Sequence, residues 1–261
     1  MLKRILIIFF VLTIFVLLWQ FGETYISNER LLRGDTGLEA FIPTPTSILN
    51  SLVSDRLIIL TELGYTLGRA FSGLFFGIVL AFFMAILFLF YKSLRNIFYP
   101  ISFGLNSFPV VGLAPLIILI FGQGSGLGIV FISTIICYFP ILVALDRGFK
   151  ETDKELVEFM YVLNASRSQV LLKVQLPLAM PYFLMALRLA VPASIIGATM
   201  GEWLGTRNGI GQIITIALYQ LKPALLYSSL LSVTLVCLGS VGLILFVEKN
   251  FMPWKKEYQA E

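Results

Sequence analysis

About six stretches of this chain are apolar for long enough to cross a bilayer. A crossing needs roughly 20 such residues, and the backbone N–H and C=O groups must be satisfied within the segment because lipid offers them nothing. The runs lie near Ile5–Phe21, Ala70–Tyr91, Ile101–Phe121, Gly128–Leu145, Pro181–Leu204 and Leu225–Val247. An all-α, polytopic membrane protein is the fold class they imply. Composition agrees: 58% of the residues are hydrophobic and only 13% are charged, a balance that a water-facing surface would not show. Lys3 and Arg4 before the first run give it the look of a signal peptide. The residues after it, Gln20-Phe21-Gly22-Glu23, offer no small-x-small cleavage site, so it is expected to stay as a membrane helix.

Basic residues close to the run ends set the expected orientation. Lys3, Arg4, Lys92, Arg95, Arg147, Lys150, Lys154, Arg167, Lys173, Lys249, Lys255 and Lys256 fall on one side. Arg30, Arg33, Arg56, Arg69, Arg207 and Lys222 are scattered along longer segments on the other. The positive-inside rule then makes both termini cytoplasmic, in a multi-pass protein of the cell (inner) membrane. This bias accounts for the net charge of +4 without nucleic acid. The organisation expected is an N-terminal helix and extracytoplasmic segment over 1–69, a core over 70–250 with a cytoplasmic loop at 149–180, and a cytoplasmic tail over 251–261.

Several chemistries are excluded by residue type. The chain has no histidine, which removes Ser-His and Cys-His catalysis and histidine-ligated metals or haem. Its aspartates, Asp35, Asp55, Asp146 and Asp153, include none near a membrane centre, so a paired-Asp intramembrane protease cannot be assembled. Cys137 and Cys237 lie inside apolar runs and read as small core side chains. No catalytic residue and no metal site is expected. The glycine-rich Gly122-Gln123-Gly124-Ser125-Gly126-Leu127-Gly128 lacks the lysine of a phosphate loop and is most simply a tight hairpin. With no G-x-x-x-x-G-K-[ST] stretch anywhere, any ATP driving this protein is bound by another chain.

A polar island between two apolar runs, Lys150 to Leu176 followed by Pro177, fits helix, turn and helix. Thr152 with Glu155 has the spacing of a capping box. Leu156, Phe159, Met160 and Leu163 recur at the interval that places them on one helical face. Asn164 tolerates the left-handed conformation that follows a helix's last turn. Ser166 with Gln169 caps a second helix, and Pro177 is expected to break the pattern where the chain re-enters the membrane. Four apolar groups outside the lipid need a cover, which is the chain itself, the bilayer surface or a partner protein.

Two extracytoplasmic segments are legible. Gly22–Arg69 carries Phe41-Ile42-Pro43-Thr44-Pro45-Thr46 and an amphipathic piece, and Thr206–Tyr227 carries Gly209-Ile210-Gly211 and Ile213 to Leu221. Both read most simply as connections. Inside the apolar runs, Asn106, Ser107 and Pro109, with Pro115, predict a kinked helix, and Ser133, Thr134, Ser194 and Thr199 supply hydroxyls. Each of these residues lines a pathway or serves packing between helices. Arg188 and Glu202 are more costly in lipid; each reads equally as structural anchor or gate, with Arg188 snorkelling to the cytoplasmic side and Glu202 wet at the outer end.

The island resembles the cytoplasmic loop of the inner-membrane permeases of binding-protein-dependent ABC importers. That loop carries Glu-Ala-Ala, three residues, Gly, nine residues, Ile, one residue, Leu-Pro. Glu158-Phe159-Met160, Asn164, Val174 and Leu176-Pro177 keep every interval; both alanines and the glycine are replaced, and Asn retains the glycine's backbone option. Other stretches are similar to the nitrate, sulfonate and taurine branch. They are Pro43-Thr44-Pro45, Thr66-Leu67-Gly68-Arg69, Pro109 to Pro115, Leu187-Arg188-Leu189-Ala190, and Gly201-Glu202-Trp203-Leu204-Gly205 with Gly209-Ile210-Gly211.

The resemblance implies a type I ABC importer permease, one of two copies forming a pathway, above two ATPase subunits that hold ATP and magnesium and beneath an extracytoplasmic substrate-binding protein. It makes the island a coupling helix, with Glu158 pairing or capping against the ATPase and Leu156, Phe159, Met160 and Leu163 supplying contact area. A sulfonate, taurine, nitrate or pyrimidine vitamin precursor is the implied cargo. The competing reading is a secondary transporter or channel, for which neither an ion-coordinating centre nor an inverted repeat is evident.

Overall fold

Long apolar windows with few breakers become long helices, and every regular element among the described residues is helical. The computed structural model describes residues 2–32, 42–122 and 124–251. Arg33, Asp35, Phe41, Gln123, Lys255 and Lys256, used above, lie outside that set. The helices are α1 (Leu2–Leu32), α2 (Pro45–Ser54), α3 (Arg56–Phe90), α4 (Lys92–Ser107), α5 (Val110–Phe121), α6 (Leu127–Lys150), α7 (Lys154–Val162), α8 (Arg167–Val170), α9 (Leu176–Gly205), α10 (Ile210–Tyr219) and α11 (Pro223–Phe251). A π-helical turn, Leu171–Gln175, joins α8 to α9.

Among the described residues, four helical runs have the length and apolar composition to cross a membrane: α3, α6, Arg167–Leu204 and α11. A fifth exists if α4 and α5 are counted as one span, bent by 106°. The expected third crossing, Ile101–Phe121, is therefore broken in two. Phe108 is extended (ψ 138°) because the ring of Pro109 disfavours helical geometry in the residue before it, and Pro109 has no N–H with which to continue the ladder. The expected first run lies within α1, which continues to Leu32. The second begins at Arg56 rather than Ala70, since Ile59, Leu63, Thr66 and Ala70 form a buried stripe at helical spacing.

Two compact units emerge, one of residues 1–65 and 208–234, the other of 66–207 and 235–261. In the first, Thr44 caps α2 by accepting from Ser47 N–H, and Thr46 N–H donates to Gln20 Oε1 of α1 at 3.2 Å. The Ser51 and Ser228 hydroxyls share a buried hydrogen bond at 3.1 Å, tying α2 to α11. Gly209, with φ of 113°, opens α10 while its N–H donates to Glu62 Oε2 at 2.5 Å.

The second unit is built on small residues that let helix backbones approach, the device available where lipid provides no hydrophobic drive between helices. A Cβ on Gly73 of α3 would fall 2.4 Å from Ser133 Cβ of α6, and one on Gly148 of α6 would fall 2.9 Å from the Ala179 Cα of α9. Ile129, Ile132, Ile141, Leu142, Leu145 and Ile195 are buried there. The turn before α6 uses positive φ at Gly122, Gly124 and Gly126, as a tight glycine hairpin requires.

Candidate functional site

The island carries a short helix, α7, with defined chemistry at both ends. Asp153, not Thr152, is its N-cap: the Asp153 carboxylate accepts from Glu155 N–H at 2.9 Å, whereas the buried Thr152 hydroxyl donates to Gly148 O in the helix before. Thr152 is thus used to finish α6, and the cap shifts by one residue. At the other end Asn164 adopts φ of 60°, and Ser166 with Gln169 forms the expected capping box. Pro177 does not break the chain's helix. The Leu171–Gln175 turn shifts the hydrogen bonds to the i→i−5 pattern, Leu176 N–H donating to Leu171 O, and Pro177 then enters α9 in its first turn, where a missing N–H costs least.

This mount leaves an apolar stripe bare. No residue of α7 is buried. Leu156, Phe159 and Leu163 are 40%, 57% and 61% exposed, Met160 is half-buried, and Val162 and Tyr161 are exposed as well. Glu158 is exposed on the opposite face of the helix, with Lys154 and Val157. Of the remaining loop residues, Leu176 is half-buried and Pro177 exposed at the start of α9, away from the stripe. Behind the island, the Tyr182 hydroxyl donates to Glu151, and Arg147 pairs with it at 2.7 Å. Together they hold the Glu151 carboxyl below the ordinary carboxylate range.

The polar residues inside the runs separate into distinct places. Ser133 and Ser194 meet at the contact of α6 with α9, where the buried Ser133 hydroxyl donates to Ser194 O at 3.2 Å. Ser194 and Thr199 also donate within α9, to Val191 O and Ile195 O. Asn106, Ser107 and Pro109 are exposed at the junction of α4 and α5, and Ser107 donates to Phe103 O. Arg188 pairs with Glu248 of α11. Glu202 is not wet but fully buried, accepting from Arg69 Nη1 at 2.6 Å and Thr66 Oγ1 at 2.8 Å. Arg188 and Glu202 are fourteen residues apart on α9, roughly 21 Å along its axis, so they do not form one centre.

Comparison with known proteins bears on this arrangement directly. Residues 58–252, about three quarters of the chain, match the family described as binding-protein-dependent transport system inner membrane component. The chain belongs to this family. It is a multi-pass permease subunit of an ABC importer, a transport component that works with an ATPase. Among its relatives is the formylaminopyrimidine transport permease protein ThiX of Halalkalibacterium halodurans, 27% identical over 243 residues and 93% of each chain. The putative aliphatic sulfonates transport permease protein SsuC of Bacillus subtilis is 27% identical over 223 residues, 84% of this chain and 80% of its own. The riboflavin transport system permease protein RibX of Chloroflexus aurantiacus is 31% identical over 156 residues, 60% of this chain and 58% of its own. In fold, the permease is similar to an amino acid ABC transporter solved with histidines, with a TM-score of 0.63 at 16% identity over 77% of this chain and 97% of that one. It is also similar to the inward-facing MetNI methionine ABC transporter, with a TM-score of 0.55 at 21% identity over 71% and 94%.

Several partners in this permease escape sequence reasoning. Arg95 of α4 grips Asp146 of α6 through Nε at 3.0 Å and Nη2 at 3.1 Å, and stacks over the Tyr99 ring at 5.1 Å. Lys150 adds a third bond to Asp146 at 2.7 Å; that i, i+4 spacing is readable in the sequence, but the 51-residue separation of Arg95 and Asp146 is not. Arg69 and Thr66 carry the resemblance to a permease branch, yet nothing local points to Glu202 as their partner.

Proposed function

We propose that this permease couples to its ATPase through α7 and, as a pair of identical copies, forms the pathway for a small polar solute. The bare stripe of Leu156, Phe159, Met160 and Leu163 is the observation that carries the reading, since exposed apolar groups outside the lipid call for a covering partner. The stripe buries into a cleft of the ATPase, and Glu158, on the opposite face of α7, supplies a separate charged contact. ATP and magnesium reside in that partner. Asn164 and the Ser166 capping box fix the angle between α7 and the helical run into α9, so a displacement of α7 moves α9 with it and reorients the pathway between two states.

Both termini and the island lie in the cytoplasm, and an extracytoplasmic binding protein delivers the cargo. Sulfonates or pyrimidine vitamin precursors are the cargo classes supported by the relatives ThiX and SsuC. Asn106, Ser107 and Pro109, exposed where α4 bends into α5, line the pathway; Ser133, Ser194 and Thr199 shape it through the packing of α6 on α9, and Glu202 and Arg188 anchor its helices.

The test is co-purification of the tagged permease with its ATPase, comparing wild type with Glu158→Ala plus Phe159→Asp. Loss of the ATPase from a variant that still inserts and runs monodisperse is the expected result. Equal recovery of the ATPase with both proteins would refute the assignment of α7 as the docking element.

A further inference from the structure

A cavity of about 470 Å³ opens in the second unit, on the island's side of the membrane. It sits where helices leave the bilayer, between the last turns of α3, the first of α4, the end of α6 and the core-facing side of α7. Its floor is apolar, formed by Ala85, Phe88 and Leu89 together with Phe149. Its rim is cationic: Lys92, Arg95, Lys150 and Lys154 stand against two carboxylates, Asp146 and Glu158. Asp146 is already engaged by both Arg95 and Lys150. The side chains of Lys92 and Lys154 make no ion pair or hydrogen bond with another described residue. The cavity therefore holds uncompensated positive charge above an apolar floor, at the level where a span ends at Phe90.

That gradient from apolar to cationic, at the depth of the headgroups, matches one class of ligand. We propose that the cavity binds the phosphate-bearing headgroup of an anionic phospholipid from the leaflet on the island's side. Lys92 and Lys154 contact the phosphate, Arg95 and Lys150 complete the positive field while held by Asp146, and the glycerol end of the lipid lies over Leu89 and Phe149. Lys154 belongs to α7 and Lys92 to α4, so an occupied cavity ties the island to the transmembrane helices. The site requires only that the chain be a membrane protein, and it stands or falls separately from ATPase docking.

The experiment uses full-length permease in nanodiscs of equal parts phosphatidylcholine and phosphatidylglycerol, followed by detergent exchange and mass-spectrometric counting of retained lipid. Wild type is expected to retain phosphatidylglycerol over phosphatidylcholine. Lys92→Gln plus Lys154→Gln should cut that retention on the order of 10- to 30-fold, since each near-surface cation contributes about a fivefold factor. Lys92→Arg plus Lys154→Arg, which keeps charge and fold, should preserve it; if the glutamine pair fails to fold, the single Lys92→Gln variant takes its place with a roughly fivefold loss. Equal retention of the two lipids, or retention unaffected by the glutamine variants, would overturn the proposal. Labelled inorganic phosphate provides the other arm. Lysine-dependent phosphate binding in pure phosphatidylcholine discs, without phosphatidylglycerol enrichment, would assign the cavity to a soluble anion and overturn the lipid assignment.

Discussion

Replacing Glu202 by alanine should be among the most damaging single changes in the second unit. Glu202 is fully buried and accepts a charge-assisted bond from Arg69 at 2.6 Å and a hydroxyl bond from Thr66 at 2.8 Å. The Arg69 side chain is only 16% exposed, so its charge has little water to turn to. A charged hydrogen bond contributes about 1.5–3 kcal/mol and a neutral one about 1 kcal/mol, and stranding the partner raises the loss to about 3–5 kcal/mol. Glu202→Gln keeps the shape and an acceptor but removes the charge, and should cost about half as much. Unfolding in mixed micelles by dodecyl sulfate titration, followed by helical circular dichroism, measures these losses. Arg69→Met closes a double-mutant cycle with Glu202→Ala, for which a coupling of at least about 1.5 kcal/mol is expected. Additivity within about 0.5 kcal/mol, or an alanine variant as stable as wild type, would show that the pair does not hold α3 to α9 and would refute the reasoning.

Other consequences are equally direct. Gly73→Val must displace α3 from α6, because even a Cβ would sit 2.4 Å from that of Ser133; it should lose about 1–3 kcal/mol or more in the same titration, while Gly68→Ala, which meets nothing within 4 Å, should be neutral or slightly stabilising. Asp153→Ala should speed amide exchange in the first turn of α7 by an amount matching about 1 kcal/mol, and Thr152→Val should leave that turn unchanged. The hydrogen bond from Tyr182, with Arg147 beside it, depresses the Glu151 pKa, so its stabilisation is present above the unfolded pKa and is lost as pH falls through the folded one. Tyr182→Phe should therefore lower the thermal midpoint at neutral pH, with the gap to wild type closing in acid; a gap that grows on acidification would contradict the assignment.

Much of the island was legible because its chemistry is local. A capping box spans three residues, and an asparagine after a helix needs only its own φ, so Ser166, Gln169 and Asn164 could be placed without knowing the fold. The stripe from Leu156 to Leu163 was readable for the same reason. At Thr152 and Pro177 two local rules compete. Two adjacent residues were both able to cap, and burial against α6 decided between them. A proline near a helix start can either end one helix or open the next, and the π turn before it permitted the second. Asn106, Ser107 and Pro109 were legible as a kink, but its sharpness was not.

The amino-acid sequence by itself determined that this chain is helical, that it crosses a membrane several times, and where its polar island begins and turns. These follow from apolar length and from turn chemistry, which are properties of short windows. Only the tertiary structure decided which ionised side chains meet. Arg69 with Glu202, Arg95 with Asp146 and Arg188 with Glu248 are separated by 133, 51 and 60 residues. A charge inside or beside lipid must find an opposite charge wherever helix packing brings one, and that packing is set by close approach at residues such as Gly73 and Gly148 rather than by any pattern near the charge itself.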